Sequence, residues 1–281
     1  MRDRTIGAVR RASRVSRPDV TRVLSALILL PIVIGAVWFL PPIATLVLSL
    51  IAAMLAFVEY AAIAAALGAR IPLAVSGAAV LAACAAVGGG YVPAEIVIMT
   101  AVISVGAIAV GSGGPGPAIL RDTAAALLPV LYIGLPLGAL AAVRVAGGRE
   151  ALLLLMLAIV ISDSAQYYTG RALGRRPLAP AISPKKTLEG AIGGVVFGTA
   201  SMTVGGHLVF PAAAVPMLVL VGASISALGI VGDLFESLLK RSAGLKDSGA
   251  IIPGHGGVLD RIDSWLFAAP VYYVFIRYLQ Y

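Results

Sequence analysis

An all-α protein that crosses a membrane many times is the fold this sequence predicts, from three observations. Of its 281 residues 60% are hydrophobic and 12% charged, and the mean hydropathy of +1.00 leaves more apolar surface than a soluble core can hide. Runs of about 20 apolar residues recur from Val23 to the carboxy terminus, each long enough to cross a hydrocarbon core as a helix. These runs lack the alternation of barrel strands, and lipid offers the backbone no hydrogen-bonding partner, so helices are what remains.

The elements follow from the punctuation between apolar runs. Pro, Gly and charged residues bound spans at 23–40, 43–67, 71–88, 94–111, 122–143, 150–170, 188–210, 214–236 and 259–279, which predicts about nine helices. The third to fifth are rich in Ala and Gly, residues that lower hydropathy but let helices approach closely. Three segments result: a basic tail over 1–22, amino-terminal spans over 23–121, and a carboxy-terminal region over 122–281 that holds most of the intramembrane charge. The first apolar run is too long for a cleavable signal peptide and meets Pro41 and Pro42 rather than a small-residue cleavage site, so it is expected to stay as an anchor. The lone Cys84 sits in an apolar run, excludes an internal disulfide and is expected to be a small buried side chain.

Charge sets the orientation. Arg2, Arg4, Arg10, Arg11, Arg14, Arg17 and Arg22 precede the first span, a pattern that fixes topology or touches anionic headgroups rather than binding nucleic acid. With that tail in the cytoplasm, nine crossings put Arg70, Arg121, a loop with Arg171, Arg175, Arg176, Lys185 and Lys186, and a loop with Lys240, Arg241 and Lys246 on the same side. Arg144, Arg149 and Arg277 fall opposite, in keeping with the positive-inside rule.

Ionisable groups at membrane depth are costly and so mark candidate sites. Glu59 in the second span reads as a polar contact between helices. Asp163 lies toward the cytoplasmic end of the sixth span. Asp233 and Glu236 are three apart near the end of the eighth, and Asp260 and Asp263 repeat that spacing at the start of the ninth, so each pair shares a helix face. Carboxylates from several helix ends aimed at one pocket would take up protons or bind a cation, and an oxygen-only donor set favours Mg²⁺ over zinc. Pairing of Asp260, Arg261 and Asp263 with nearby cations at the headgroup level is the plainer alternative. Lys185, Lys186, Lys240, Arg241, Lys246 and Arg261 around those carboxylates suit polyphosphate together with its metal. In "PGHGGVLD", Gly254, Gly256 and Gly257 allow a tight turn whose amides can approach an anion at a helix start, with His255 beside them.

The stretch "SLLKRSAGLKDSGAIIPGHGGVLDRIDS", Ser237 to Ser264, resembles the signature of the phosphatidate cytidylyltransferases. Ser237, Lys240, Arg241, Lys246, Asp247, Gly249, Pro253, His255, Gly256, Gly257, Asp260, Arg261 and Asp263 fill its pattern. "SDSAQYYTGRALGRR" around Asp163 and "ISPKKTLEGAIGG" from Ile182 are similar to other motifs of the family, although Ser164 and Ala165 stand where many relatives have Thr-Gly. The resemblance covers the carboxy-terminal half.

It implies transfer of the cytidylyl group of CTP to phosphatidic acid at the cytoplasmic face of the inner membrane, releasing pyrophosphate. Asp233, Asp260, Asp263 and Asp163 would hold Mg²⁺. Lys246, Asp247 and Arg261 join Asp233, Asp260 and Asp263 as catalytic residues. Lys185, Lys186, Lys240, Arg241, His255, Gly256 and Gly257 would bind substrate. A homodimer among membrane lipids is the assembly implied. A CTP-dependent lipid kinase or a related CDP-lipid synthase shares the metal logic. A cation transporter would want carboxylates near mid-bilayer on broken helices, and an intramembrane aspartyl protease built on Asp163 and Asp233 leaves the basic segment unexplained.

Overall fold

A computed structural model of the chain describes residues 31–112, 115–249 and 256–279. The basic tail and the start of the first span, the Pro253–His255 part of the signature and the last two residues lie outside the described residues.

Helices account for most of the described chain. Residues 31–39 form α1, followed by α2 (Pro42–Ala66), α3 (Leu73–Gly89), α4 (Ala94–Gly111) and α5 (Ile119–Pro129). A π-helical turn, Val130–Gly134, leads into α6 (Leu135–Leu173). Then come α7 (Leu188–Val209), α8 (Val215–Ser242) and α9 (Leu259–Val274), which ends in a second π turn, Phe275–Leu279. Proline opens or immediately precedes α2, α3 and α4, where its missing N–H costs no hydrogen bond. Five helical stretches among the described residues are long and apolar enough to span a membrane: Pro42–Ala66, Ala94–Gly111, Ile119–Leu173, Leu188–Val209 and Val215–Ser242. The chain is thus a helical membrane protein.

The spans expected at 122–143 and 150–170 are separate helical lengths that meet at a break at Gly148, whose φ of 81° only glycine adopts readily. One predicted boundary falls differently. Lys240 and Arg241, expected in a loop, occupy the last turn of α8, where cations suit the negative end of the helix dipole. The all-helical reading also gains a small antiparallel hairpin, β1 (Pro177–Ala179) with β2 (Ser183–Thr187), pairing Pro177 with Thr187 and Ala179 with Ser183. Lys185 and Lys186 therefore ride on a strand, not a loop.

Helix ends sort into two groups. At one end of the bundle Arg144 and Arg149 donate to the carbonyls of Leu40 and Trp38, the Arg149 guanidinium lies 4.4 Å from the Trp38 ring, and the Tyr272 hydroxyl donates to the Ala151 carbonyl. At the other, Tyr60 donates to the Ala125 carbonyl, Thr187 caps α7, and the carboxy-terminal part of α8 meets the start of α9. One buried core is built chiefly on the second part of α6 with α7, α8 and the end of α9; another joins α2, α3, the first π turn and the start of α9.

Close packing rests on small residues, as it must where lipid gives helices no hydrophobic drive to associate. A Cβ on Gly134 would lie 2.7 Å from the Val80 carbonyl oxygen, and one on Gly138 would lie 2.7 Å from that of Cys84, so α3 and the start of α6 touch backbone to backbone. Cys84 is buried, as expected. Gly138→Ala should force the two helices apart and cost about 1–3 kcal/mol, seen as a drop of several degrees in the melting temperature of the detergent-purified protein. Gly106→Ala, where a Cβ meets open space, should leave that temperature unchanged or raise it.

Candidate functional site

The charged residues gather where α6, α8 and α9 converge, and they form two neighbouring groups. In the first, Asp163 of α6, Asp233 of α8 and Asp263 of α9 lie within electrostatic reach of one another and of Lys186 on β2. Lys186 forms an ion pair with Asp233 and is mostly buried, its side chain 16% exposed. Asp163 is exposed and Asp233 and Asp263 are partly so, which opens the group to the surroundings.

The second group is deeper. Lys240 bridges Glu236, one turn before it on α8, and Asp260 in the first turn of α9. Glu236 is fully buried, and Lys240 nearly so. Asp260 also accepts hydrogen bonds from the backbone N–H of Gly257 at 2.8 Å and of Ser248 at 3.1 Å. Asp233, Glu236 and Lys240 share a face because they are three and four residues apart on one helix. That face brings the two groups side by side.

Glu59 explains the signature's glycines. Only 3% exposed, its carboxylate reaches from α2 to the start of α9 and accepts from the N–H of Val258 at 2.9 Å, the N–H of Leu259 at 2.8 Å and the Ser248 hydroxyl at 3.0 Å. It caps the helix from a distant part of the chain and sits at the positive end of its dipole. A Cβ on Gly249 would lie 2.8 Å from Glu59 Oε1, and one on Gly257 would collide with both Glu59 and the Ser248 hydroxyl. Gly256 turns the chain with φ of 83° beside Asp260. No local sequence signal announces this cap, since 189 residues separate Glu59 from Ser248; its one cue was a lone carboxylate in an apolar span.

Several expectations change. The amides of the glycine turn were expected to face an anionic ligand, but those of Gly257, Val258 and Leu259 donate to the protein's own carboxylates. Asp260 keeps company with Lys240 rather than with Asp163, Asp233 and Asp263. Among the described residues no three His, Cys, Asp or Glu side chains converge closely enough to enclose one ion. Lys185, Arg241, Lys246, Asp247 and Arg261 are exposed around the site. Arg241 ties α8 to the hairpin by donating to the Ile182 carbonyl at 3.4 Å, and it also donates to the Leu245 carbonyl just beyond its own helix at 3.2 Å. Glu189 fixes the hairpin's entry by accepting from the N–H groups of Arg175 and Arg176. His255 lies outside the described residues.

The fold and this arrangement define a helical membrane protein with a mixed acidic and basic site at one end of its bundle. Residues 20–279 match the model of the cytidylyltransferase family, and the chain belongs to that family. It is 41% identical over 162 residues to the phosphatidate cytidylyltransferase of Helicobacter pylori (strain J99), covering 55% of this chain and 58% of that protein. It is 46% identical over 112 residues to the phosphatidate cytidylyltransferase of Bacillus subtilis (strain 168), covering 40% and 42%. An uncharacterized protein, YnbB, of Escherichia coli (strain K12) is 44% identical over 138 residues, covering 49% and 46%. The chain thus spans about half the length of the curated relatives it matches.

Glu59→Gln should leave only one acceptor oxygen for three donors. Hydrogen exchange at Val258 and Leu259 is expected to speed up roughly 10- to 100-fold, the loss of about 1–3 kcal/mol of charge-assisted bonding.

Proposed function

We propose that this protein transfers the cytidylyl group of CTP to phosphatidic acid, forming CDP-diacylglycerol and pyrophosphate. The observation that carries the reading is the grouping of Asp163, Asp233 and Asp263, from three helices, with Lys186, in a chain of the cytidylyltransferase family. The full topology belongs to the same proposal: nine crossings, the site facing the cytoplasm across the inner membrane, and a homodimeric assembly.

Both substrates are anions, so the chain must neutralise charge and align a phosphate oxygen of the lipid with the α-phosphorus of CTP. Lys185, Arg241, Lys246 and Arg261, exposed around the site, would receive phosphate oxygens, and His255 would share that task. Asp163, Asp233 and Asp263 offer oxygen donors of the kind Mg²⁺ takes, with the ammonium of Lys186 against Asp233, but the three do not converge closely enough to enclose an ion by themselves. One or two of them, with phosphate oxygens of the substrate completing the set, would hold the metal. When bound, Mg²⁺ would neutralise phosphate oxygens and stabilise the leaving pyrophosphate. Asp260 is spoken for by Lys240 and two backbone amides, so its task is to hold the turn and the start of α9 rather than to contact the metal directly. No protein nucleophile is needed, because the attacking phosphate oxygen already bears charge.

The placement of the carboxylates supports this reading over ion transport. Asp233 lies nine residues before the end of α8 at Ser242, and Asp263 lies four residues after the start of α9 at Leu259. Asp263 is near the start of its helix, and Asp233, two and a half turns inside α8, already holds the ammonium of Lys186, which deters cations from a path.

Purified protein with phosphatidate, Mg²⁺ and cytosine-labelled CTP should place label in the lipid extract. Label entering lipid only from γ-labelled CTP would instead identify a kinase. Asp233→Asn should lower turnover at least about 100-fold in a protein that still elutes as a single species. Lys246→Ala should raise the Michaelis constant for one phosphate-bearing substrate, and unchanged kinetics would remove it from the site.

A further inference from the structure

We infer that Tyr132 belongs to this site and that its phenol donates a hydrogen bond to a phosphate oxygen of a bound substrate, an inference that rests on the cytidylyl-transfer reading above. Tyr132 is 5% exposed, and among the described residues its hydroxyl has no hydrogen-bond partner. That is unusual in a buried phenol, because leaving such a group unmet is costly. The other two buried tyrosines satisfy theirs: Tyr60 donates to the Ala125 carbonyl and Tyr272 to the Ala151 carbonyl, each at 3.0 Å.

The hydroxyl's position singles it out further. Glu236 from the deeper group and Asp263 and Asp233 from the open one all act on it electrostatically, as does Tyr60. Two aromatic rings hold it there. Phe235, between Asp233 and Glu236 in sequence, meets the Tyr132 ring edge-on at 5.1 Å, and Phe267 of α9 meets it at 6.2 Å. The backbone is specialised too. Tyr132 sits in the π turn Val130–Gly134 directly after Pro129, and such turns recur at functional sites. Gly134 presses this turn against the Val80 carbonyl, which pins its rotation and with it the direction of Tyr132.

Two of the three carboxylates in reach have cationic partners, Glu236 in Lys240 and Asp233 in Lys186, and the third, Asp263, accepts from the backbone N–H of Ser264. An enclosed hydroxyl left unmet beside these groups suits an anionic oxygen that enters when substrate binds. A phenol adds one directed hydrogen bond without adding a further positive charge. The oxygen can come from the lipid phosphate or from the triphosphate.

Tyr132→Phe removes one oxygen and keeps the ring packing. Assayed beside the wild type in detergent, the variant should melt at the same temperature or higher, since it loses a buried unmet hydroxyl, while kcat/KM for CDP-lipid formation falls roughly 10- to 100-fold. A rise in KM for phosphatidate alone assigns the bond to the lipid, a rise for CTP alone assigns it to the nucleotide, and a fall confined to kcat assigns it to the transition state. Kinetics within about twofold of wild type for both substrates, or a loss of melting temperature that tracks the loss of activity, overturns the inference. The melting shift produced by Mg²⁺ with CTP, and separately by phosphatidate, reads the same bond without turnover. A wild type that makes no CDP-lipid defeats the functional reading; smaller shifts in the variant would still uphold the bond, and equal shifts in the two proteins would defeat it.

Discussion

One buried carboxylate holds the carboxy-terminal machinery to the amino-terminal helices. Glu59 projects from α2 into the start of α9 and takes up two backbone amides and the Ser248 hydroxyl. In a medium where an unpaired charge is prohibitively costly, a carboxylate at this depth needs those three donors, and the first turn of α9 needs an acceptor for its free N–H groups. The two requirements are met by each other. Everything on either side of this contact is then constrained: Gly249 and Gly257 have no room for a side chain, Asp260 is drawn onto Gly257 and Ser248, and Lys240 is brought between Asp260 and Glu236.

The charge balance of the site follows from that anchor. The deeper group sets two carboxylates against one ammonium and two amides, so its components hold each other and leave little to offer a ligand. The open group sets three carboxylates against Lys186 alone, which leaves it acidic and partly exposed. Breaking a buried ion pair by removing one partner costs far more than the pair contributes. The two groups therefore differ in kind: one stabilises the junction of α8 and α9, and the other is left with spare negative charge at the end of the bundle.

Hydrogen bonds tether the β1–β2 hairpin to this core. The hairpin carrying Lys185 and Lys186 is clamped at its entry by Glu189 and at its turn by Arg241, and it passes into α7 through the Thr187 cap. Lys186 is thereby held at the carboxylates by a strand, which restricts a long side chain more than a free loop would. Small residues let α7 lie close to α6: a Cβ on Gly193 would collide with Thr169, and one on Gly190 would lie 2.7 Å from the Gln166 carbonyl oxygen. That closeness brings the hairpin and the carboxy-terminal end of α6 to the same place.

Hydropathy and punctuation decided the helices, because in lipid every backbone polar group must be met within its own segment. Residues 94–111 were read to their ends, and the neighbouring spans differ from α2, α3, α7 and α9 by few residues. The carboxylates and cations of the signature could be chosen from sequence as well, since charge in an apolar chain stands out. What could not be read was which acid meets which base. Asp260 and Asp263 share a helix face by spacing, yet one turns to Lys240 and the other to Asp233 and Asp163, a division fixed by how α8 and α9 cross. Glu59 and Tyr132 carry no local signature, because their roles depend on contacts that cross the whole chain. Sequence determined the medium, the elements and the chemical inventory; tertiary packing alone decided the pairing, since partners in a bundle are set by distances between helices that no local pattern encodes.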